Sequence, residues 1–425
     1  MTDTLTCDTP SDSSLPLAQA TALIAAAISP TGATCALPVS DALNRVLARD
    51  VTAPIAVPPH RNSAMDGFAF KHDKHRTPGP STATVVGQSL AGHPYSGSLD
   101  AGQAVQIMTG AVVPDELDTV VVQEVVERHG DTITFDTTDI DAGAFVRNVG
   151  DDIALGDTVL RAGTRLGAAH LGVMASLGIG EAITHRQPRI AVMSTGDELR
   201  AAGETLQPGQ IYDSNRITLR ALITQHHAAA SDIGQVADSP DAIRDALDRA
   251  SDEADVILSS GGVSVGVADH MRAVLESEGT LQFWKIAVKP GRPLVFGRWK
   301  GAWYFGLPGN PVSAMVTFDQ IVRPALAALE GETPRETVQL TAVCESSLNK
   351  LPGRMEFQRG RLGNRPDGSL CVLSTGNQDS HVLTSLSHAD CLISLPIEST
   401  GARPGDTVTV VPLDPAWGLA SASPL

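Results

Sequence analysis

Short apolar runs alternate with longer amphipathic segments in the middle of the chain. Between residues 188 and 330 the runs RIAVMS, SDIGQVA, ADVILSS and WYFGL have the length and composition of buried strands. Helical periodicity lies between and after them, at 214–227, 240–250, 268–278 and from 311. Asp238 or Ser239, followed by Pro240, is typical of the start of one of these helices. This alternation predicts a largely parallel, doubly wound α/β sheet.

The flanking regions follow other patterns. Residues 17–28 predict a helix, and 55–143 hold short Val- and Ile-rich runs separated by Gly, Pro and Asp, which predict a small β-rich lobe. Residues 144–187 combine short strands with a helix at 168–177, and we expect them to return to the element where the chain began. Beyond Gly331 short strands with Gly/Pro turns predict a β-barrel or sandwich.

The patterns together predict a multidomain α/β plus β fold. At 425 residues and 44.3 kDa the chain is too long for a single core. The predicted parts are a segmented linker domain of 15–54 with 144–187, a small β-rich domain of 55–143, an α/β domain of 188–330 and a C-terminal β-barrel of 331–425.

Composition excludes several classes of function. A net charge of −17 argues against general nucleic-acid binding, because the field of the whole protein would repel polyphosphate. The five cysteines are odd in number and form no CxxC pair, so reduced thiols are expected rather than disulfides or a zinc cage. The N-terminal segment has no basic or apolar signal region, and no membrane span is expected there. These features predict a cytoplasmic protein.

Three predicted strands end in loops rich in Gly, Ser and Thr. They are STGDE at 194–198, SSGGVSVG at 259–266 and PGNP at 308–311, where Asn310 is expected to cap a helix. Ligands of doubly wound sheets bind beyond the carboxyl ends of the strands. Glycine lets backbone N–H groups approach an anion, and hydroxyls and helix N-termini add further favourable contacts. Three such loops at successive strand ends predict a phosphorylated, anionic ligand.

Other loop chemistries fit less well. The chain has no GxxxxGK[ST] and no complete GxGxxG after a strand. Residues 262–266 match GxSxG, the nucleophile elbow of serine hydrolases, and His381 or His388 could complete a triad with Ser264. A Ser-Ser-Gly-Gly segment separates this serine from its strand, however, and no HGGG-type oxyanion segment is present. The esterase hypothesis is therefore the weaker one.

A basic cluster accompanies the loops. In one extended strand Lys285 and Lys289 would project to the same face, and the Pro290–Gly291 turn would bring Arg292 back toward them. Such lysines can be gatekeepers of a solvated strand edge. In a chain of net charge −17, a cation group beside this turn favours an oxyanion clamp instead.

Four carboxylates complete the candidate chemistry. They are Asp66, Asp152, Glu198 and Asp269. Acids beside phosphate loops commonly hold Mg²⁺, although each of these alone is more often a cap or a surface charge. Asp66 is the least ordinary, because it stands in an apolar Ala-Met-Asp-Gly turn far from the α/β domain in sequence.

These motifs closely resemble one family, the molybdopterin molybdenumtransferases of the MoeA and gephyrin E-domain type. The matching stretches are NSAMDGFA at 62–69, IMTGAVVP at 107–114, VRNVGDDI at 146–153, STGDEL at 194–199, GQIYDSN at 209–215, SSGGVSVGVAD at 259–269, KPGRP at 289–293, LPGNPVSA at 307–314, GRMEFQRG at 353–360 and STGNQDSH at 374–381. They cover essentially the whole chain in family order, so the resemblance does not depend on one loop.

The resemblance implies a reaction and an assembly. Members insert molybdate into adenylylated molybdopterin, releasing AMP and giving molybdenum cofactor, and they depend on a divalent cation, usually Mg²⁺. They are homodimers in which the α/β domain of one subunit and the small β domain of the other form the active cleft. Transient contacts with molybdopterin adenylyltransferase and with molybdoenzymes are also expected.

The resemblance also implies roles for individual residues. The residues expected to hold the nucleotide and the pterin phosphate are Thr195, Gly196, Ser260, Gly261, Gly262, Ser264, Pro308, Gly309, Asn310, Pro311 and Ser313. The residues expected to form the molybdate pocket are Lys289, Arg292, Pro293, Arg354 and Ser380, with Lys285 in the same basic cluster. Asp269 and Glu198 are implied to be the acids beside the metal, Asp66 and Asp152 the acids from across the cleft, and Asp238 a further functional acid.

Two positions depart from the family pattern. Arg292 replaces the second lysine of KPGKP, which keeps the charge but offers a bidentate fork. Asp379 stands where members often carry Gly, and it places a negative charge beside Ser380. Receptor scaffolding, known from gephyrin-like relatives, has no specific support here. The acids at 66, 152, 198 and 269 argue against lost activity, but the sequence does not separate molybdate from tungstate.

Overall fold

The computed structural model describes residues 14–73, 78–261, 270–334 and 336–413, with the side chain of Phe283 omitted. The chain forms two compact units. The larger unit comprises Met1–Cys35, Asn44–Ala48 and Thr184–Leu425, and the smaller unit comprises Ala36–Leu43 and Arg49–Ile183.

A six-stranded sheet is the centre of the larger unit. In spatial order its strands are Ala229–Val236, Arg189–Thr195, Val256–Ser260, Ala302–Leu307, Pro293–Trp299 and Thr280–Lys285. The first four run parallel, and the last two join as antiparallel strands at one edge. The predicted parallel sheet is confirmed. The antiparallel edge was not predicted, because an edge hairpin does not interrupt the β-α alternation of the central strands.

Helices cover both faces of this sheet, as a doubly wound fold requires. One face packs against Leu17–Ala27, Ser214–Gln225, Pro311–Thr317 and Arg323–Leu329, with a π-helical turn at Phe318–Val322. The other face packs against Pro240–Glu253 and His270–Glu278. Ser239 caps Pro240–Glu253 by accepting a hydrogen bond from the Ala242 N–H, as one of the two predicted start residues should.

The C-terminal strands close into a five-stranded barrel. They are Leu340–Cys344, Met355–Asn364, Leu370–Ser374, Cys391–Leu395 and Thr407–Pro412. Met355–Asn364 closes the barrel, because it pairs with Leu370–Ser374 on one side and with Cys391–Leu395 on the other. Buried Val372, Ile393 and Val410 fill the interior. Of the two architectures expected for this region, the barrel is the one observed.

The smaller unit contains the predicted β-rich lobe. Its main sheet is ordered Thr119–Val122, Gly67–Phe70, Gln103–Ile107, Pro80–Ser89, Thr132–Asp136 and Glu127–His129. Phe68, Phe70 and Ile133 are buried on one face, and Val105, Val120 and other aliphatic side chains are buried on the other. Asn62–Ser63 pairs separately with Val146–Arg147.

Residues 144–187 do return to the early part of the chain, as expected. Thr34–Pro38 pairs with Glu181–His185, and Val51–Thr52 pairs with Thr158–Leu160. In the sequence, the helix Ala168–Ser176 lies between the strands Thr158–Leu160 and Glu181–His185. Leu17–Ala27 packs into the core of the larger unit. The division into four domains with the boundaries given above stays a prediction.

One continuous helical stretch, Pro311–Leu329, is long and apolar enough to cross a membrane by length and composition. Within it, 67% of the most apolar window is buried inside the protein. Val312, Val316, Ile321 and Leu326 belong to the core under the central sheet. That burial is typical of a core helix.

Candidate active site

A cavity of about 760 Å³ lies in the larger unit at the carboxyl ends of the parallel strands. Gly261, which follows Val256–Ser260, and Pro308, which follows Ala302–Leu307, line one side of it. Glu198, just beyond the end of Arg189–Thr195, lines the same side. The cavity therefore lies where the loops after the strands predicted an anionic ligand.

The first two glycine loops pack directly against each other. Gly261 has φ +89°, and a Cβ at this position would lie 2.9 Å from the carbonyl oxygen of Thr195. Only glycine fits both the backbone conformation and this close approach. Thr195 and Ser260 are buried, and the Gln235 amide donates to the Gly196 carbonyl oxygen at 2.9 Å.

The third loop departs from the capping prediction. Asn310 occupies the N-cap position of Pro311–Thr317, but its side chain makes no capping hydrogen bond. Its Nδ2 instead donates to Ser380 Oγ at 2.8 Å, and the Val312 N–H donates to the Ser380 carbonyl oxygen at 3.1 Å. The cap prediction was wrong because a residue from the barrel supplies the acceptor for the helix end. Asn310 thereby joins the α/β loop to the barrel.

Cationic side chains line the cavity from the turn at 289–293 and from the barrel, a set of residues called here the barrel wall. They are Lys289, Arg292 and Arg354. Lys289 Nζ donates to Glu356 Oε1 at 3.1 Å, and Glu356 is only 4% exposed. The guanidinium groups of Arg292 and Arg354 take part in none of the hydrogen bonds or ion pairs recorded among the described residues, so their donors are available to a ligand.

The two lysines of the predicted cluster do not share a strand. The strand Thr280–Lys285 ends at Lys285, and Val288–Lys289 pairs with Met355–Glu356 at the start of a barrel strand. Ile286 and Ala287 between them are buried, so the chain turns inward and leaves the central sheet. Lys285 is exposed and is not part of the cavity lining. The prediction that Lys285 and Lys289 project to the same face of one strand was therefore wrong. Lys289 and Arg292 do line the same cavity.

The loop at 374–381 forms another part of the wall. Gln378, Asp379, Ser380 and His381 line the cavity. Arg359, which is 1% exposed, lies beneath this loop. Its side-chain Nη2 donates to the Asp379 carbonyl oxygen at 3.2 Å, and its backbone N–H donates to Gln378 Oε1 at 2.7 Å. Burial lowers the pKa of the Arg359 guanidinium to about 10. The sequence analysis did not nominate Arg359; its place in GRMEFQRG was the available signal.

The GQIYDSN motif also has a role that the sequence analysis did not assign. Asp213, 4% exposed, caps Ser214–Gln225 by accepting from the Arg216 N–H, and it accepts from Ser194 Oγ at 2.6 Å. Asn215 donates from Nδ2 to Ser260 Oγ and to the Gly309 carbonyl oxygen, both at 2.7 Å. These two side chains tie the start of one helix to all three glycine-rich strand ends.

The acids of the smaller unit lie in turns. Asp66 Oδ1 accepts from the N–H and from Oγ1 of Thr109, both at 2.7 Å. The backbone hydrogen bond, and then the hydroxyl, lower the pKa of Asp66, so it is ionised at neutral pH. Asp152 is exposed, and its N–H donates to the Val57 carbonyl oxygen at 3.0 Å. Pairing of Asn62–Ser63 with Val146–Arg147 places the two acid-bearing turns after neighbouring strands.

The remaining nominated residues fall into four groups. Pro293, Gly309 and Ser313 line the cavity, whereas Gly196 and Pro311 belong to its loops without lining it. Asp238 is exposed before Pro240–Glu253, at the carboxyl end of Ala229–Val236. Gly262, Ser264 and Asp269 lie outside the described residues. The esterase triad therefore stays untested.

Within the described ranges no group of three or more His, Cys, Asp or Glu side chains could hold a metal ion. Mg²⁺ at phosphate sites commonly takes only one or two protein carboxylates and completes its octahedron with phosphate oxygens and water. Glu198 at the cavity wall fits such a shared site.

The fold and the cavity define a class: a multidomain protein with an α/β domain that carries an anion-binding type of cavity at its strand ends, and with a C-terminal barrel. Three family models match the chain in order. They are the MoeA N-terminal region (domain I and II) at residues 15–178, a probable molybdopterin binding domain at 191–328 and the MoeA C-terminal region (domain IV) at 341–413.

Individual relatives agree over nearly the full length. A molybdopterin molybdenumtransferase of Haemophilus influenzae is 41% identical over 385 residues, covering 90% of this chain and 94% of the relative. Another from a Nostoc species is 35% identical, covering 87% and 86%. The crystal structure of the molybdopterin biosynthesis MoeA protein from Pyrococcus horikoshii has a TM-score of 0.82 at 27% identity, covering 94% of this chain and 100% of that one. The chain belongs to the molybdopterin molybdenumtransferase family, whose members are transferases of molybdenum cofactor biosynthesis.

Proposed function

We propose that the protein inserts molybdate into adenylylated molybdopterin, releasing AMP and giving molybdenum cofactor. The observation that carries the proposal is the composition of the cavity. It combines glycine-rich loops at parallel strand ends with the guanidinium groups of Arg292 and Arg354, which are free of recorded partners among the described residues. Family membership supplies the reaction that such a cavity would serve.

The barrel side suits a tetrahedral oxyanion. Molybdate carries two negative charges, and charge-assisted hydrogen bonds from guanidinium groups are among the stronger polar contacts in proteins. Arg292 and Arg354 would neutralise it, with Lys289 and the Ser380 hydroxyl as further donors. Pro293 would shape the same pocket.

The glycine-loop side suits the nucleotide and the pterin phosphate. Backbone N–H groups near Gly196 and Gly309, together with the N-terminus of the helix at Pro311, would face phosphate oxygens, and Gly261 would allow their close approach. The hydroxyls of Thr195, Ser260 and Ser313 would add donors. Gly262 and Ser264 would belong to the same loop.

Mg²⁺ would be held by Glu198 and Asp269, and when bound it would neutralise the phosphoanhydride. Asp66, kept ionised by Thr109, would orient the water whose oxygen attacks phosphorus as the bond to AMP breaks. The two dithiolene sulfurs would then replace two molybdate oxygens, which leave as two waters after taking up the two thiol protons and two protons from solvent. Asp152 and Asp238 would add negative charge near the cation.

The protein would act as a cytoplasmic homodimer in which Asp66 and Asp152 of one subunit complete the site of the other. Exposed apolar side chains on the smaller unit support an interface there: Ile55 is 42% exposed, Phe145 45%, Val149 54% and Leu155 70%. Molybdopterin adenylyltransferase would supply the substrate and molybdoenzymes would accept the product through transient contacts.

The proposed reaction is tested with purified protein, adenylylated molybdopterin, Mg²⁺ and molybdate, measuring AMP release and cofactor formation together. We expect both products, with AMP release dependent on molybdate. A parallel reaction with tungstate compares the two oxyanions. Failure to form either product would overturn the transferase proposal.

The shared site is tested by mixing subunits. Asp66→Asn should slow AMP release by about 100-fold or more, because a positioned acid contributes at least that much. Random mixing of Asp66→Asn with Glu198→Gln subunits should restore about a quarter of the wild-type rate, since half of the dimers would carry one intact site. Mixtures no faster than either parent would show that both acids act within one subunit.

A further inference from the structure

One amide group joins two of the loops around the cavity. Asn215 lies in the first turn of Ser214–Gln225, and its Nδ2 donates to Ser260 Oγ and to the Gly309 carbonyl oxygen, at 2.7 Å each. Ser260 is the last residue of Val256–Ser260, and Gly309 follows the end of the neighbouring parallel strand Ala302–Leu307. The two strands pair at Ser260 and Leu307. A single side chain therefore sets the separation of the second and third glycine loops.

These contacts decide which way the Ser260 hydroxyl points. Ser260 Oγ accepts from Asn215, so its own proton is left to donate elsewhere. Among the described residues no acceptor for that proton is recorded. Ser260 is 4% exposed, and Gly261, the next residue, lines the cavity. A buried hydroxyl with an unused proton next to an anion cavity is suited to donate to a ligand.

The helix start that carries Asn215 is held firmly. Asp213 accepts from Ser194 Oγ at 2.6 Å and from Arg216 Nε at 2.9 Å. Arg216 in turn forms an ion pair with Asp232 at 2.7 Å, which ties the helix to the adjacent strand. Because its base is fixed on two strands, Asn215 can hold the loops at a defined distance without moving with them.

We propose that Asn215 is a positioning residue that orients the Ser260 hydroxyl toward the anionic group of the ligand and sets the gap between the two loops. The identity of that ligand rests on the proposed function. An aspartate of the same shape would reverse the arrangement. It could not donate to the Gly309 carbonyl oxygen, it would accept the Ser260 proton, and it would add a negative charge beside the ligand.

The experiment compares Asn215→Ala, Asn215→Asp, Ser260→Ala and the Asn215→Ala/Ser260→Ala double variant. Asn364→Ala, an exposed asparagine at the end of a barrel strand, is the matched control. For each protein the KM for adenylylated molybdopterin and the kcat of AMP release are measured, and AMP binding is measured separately by calorimetry. Thermal unfolding confirms that each variant is folded.

We expect Asn215→Ala to raise the KM for the pterin nucleotide about tenfold and to weaken AMP binding, while the KM for molybdate is unchanged. Asn215→Asp should be worse than Asn215→Ala. In the Ser260→Ala background, Asn215→Ala should add only about a twofold effect, because the pair acts as one unit.

Two results would overturn the proposal: an Asn215→Asp variant no worse than Asn215→Ala, or effects of the two single variants that multiply fully in the double variant. A wild-type protein that binds AMP but releases none would sink the proposed function alone, and the binding series would still judge Asn215. Wild-type protein that neither binds nor releases AMP would overturn both.

Discussion

The two walls of the cavity are built differently. The glycine-loop wall offers backbone N–H groups and hydroxyls, held in place by buried side chains such as Asp213 and by the amides of Gln235 and Asn215. The barrel wall offers charge on the longer side chains Lys289, Arg292 and Arg354, with one acid, Asp379, in the same lining. The first wall is suited to fix the geometry of a phosphorylated ligand, and the second is suited to attract and neutralise an oxyanion.

The strongest test of this division removes the free charge from the barrel wall. In an Arg292→Ala/Arg354→Ala variant we expect the KM for molybdate to rise by at least about 100-fold, since each of the two charge-assisted contacts is worth about 1.5–3 kcal/mol. The KM for adenylylated molybdopterin should change less than about threefold. Steady-state AMP release at varied concentrations of each substrate measures both.

Arg365→Ala is the matched control for that variant. Arg365 lies on the barrel, and its guanidinium forms an ion pair with Glu345 at 2.9 Å. Its removal should leave both KM values unchanged. Equal increases in both KM values after loss of Arg292 and Arg354 would contradict the division of labour between the walls.

The second test distorts the glycine-loop wall. Gly261→Ala forces a Cβ to within 2.9 Å of the Thr195 carbonyl oxygen at φ +89°, so the first two loops must move apart. Backbone strain of this kind costs about 1–3 kcal/mol, and we expect the KM for the pterin nucleotide to rise about tenfold while the KM for molybdate stays the same.

Gly405→Ala is the control that separates backbone strain from displacement of the glycine loops. Gly405 has φ +93°, but an added Cβ would meet no atom within 4 Å. Both variants should lose thermal stability, and only Gly261→Ala should lose affinity for the nucleotide. A loss of nucleotide affinity in Gly405→Ala of the same size would mean that the effect is global destabilisation.

These two walls differed in how far the sequence predicted them. The loops after Arg189–Thr195, Val256–Ser260 and Ala302–Leu307 were foreseen, because strand, loop and helix follow one another locally in the chain. For the barrel wall, the sequence predicted which cationic residues are present but not how they are arranged. Lys285 and Lys289 separate because buried Ile286 and Ala287 carry the chain out of the central sheet, a tertiary effect that strand periodicity does not contain.

Long-range partners were also beyond the sequence analysis. The amide of Asn310 bonds to Ser380, 70 positions away, in place of capping its own helix. Glu356 and Arg359 support the barrel wall from beneath, with Glu356 bonded to Lys289, 67 positions away. Residue types and spacing indicate which groups are available, whereas partners at such separations depend on how the barrel meets the sheet.

A smaller effect should come from Asp379, the acid on the barrel wall. Its carboxylate opposes an incoming oxyanion, and Asp379→Asn should lower the KM for molybdate about threefold, as expected for an exposed charge. The gain should shrink as salt screens the charge. The control is Asp367→Asn, because Asp367 is an exposed barrel aspartate outside the cavity lining. An unchanged KM for molybdate in Asp379→Asn would show that the charge of Asp379 does not affect molybdate binding.

The smallest change is expected from Thr109, which belongs to neither wall. Its N–H and hydroxyl lower the pKa of Asp66, so the carboxylate persists as pH falls until that lowered pKa is reached. Thr109→Val removes the hydroxyl donor and should raise the pKa of Asp66. The acidic limb of the pH–rate profile should move to higher pH, with little change at neutral pH. An acidic limb that does not move would show that ionisation of Asp66 does not control the rate of AMP release.

The most direct test of the account measures AMP release against molybdate concentration for the wild-type protein and for Arg292→Ala/Arg354→Ala. We predict that wild-type release saturates with molybdate. The variant curve should shift to at least about 100-fold higher molybdate while reaching a similar plateau. Release that is independent of molybdate in the wild-type protein, or identical curves for the two proteins, would contradict metal insertion at this cavity.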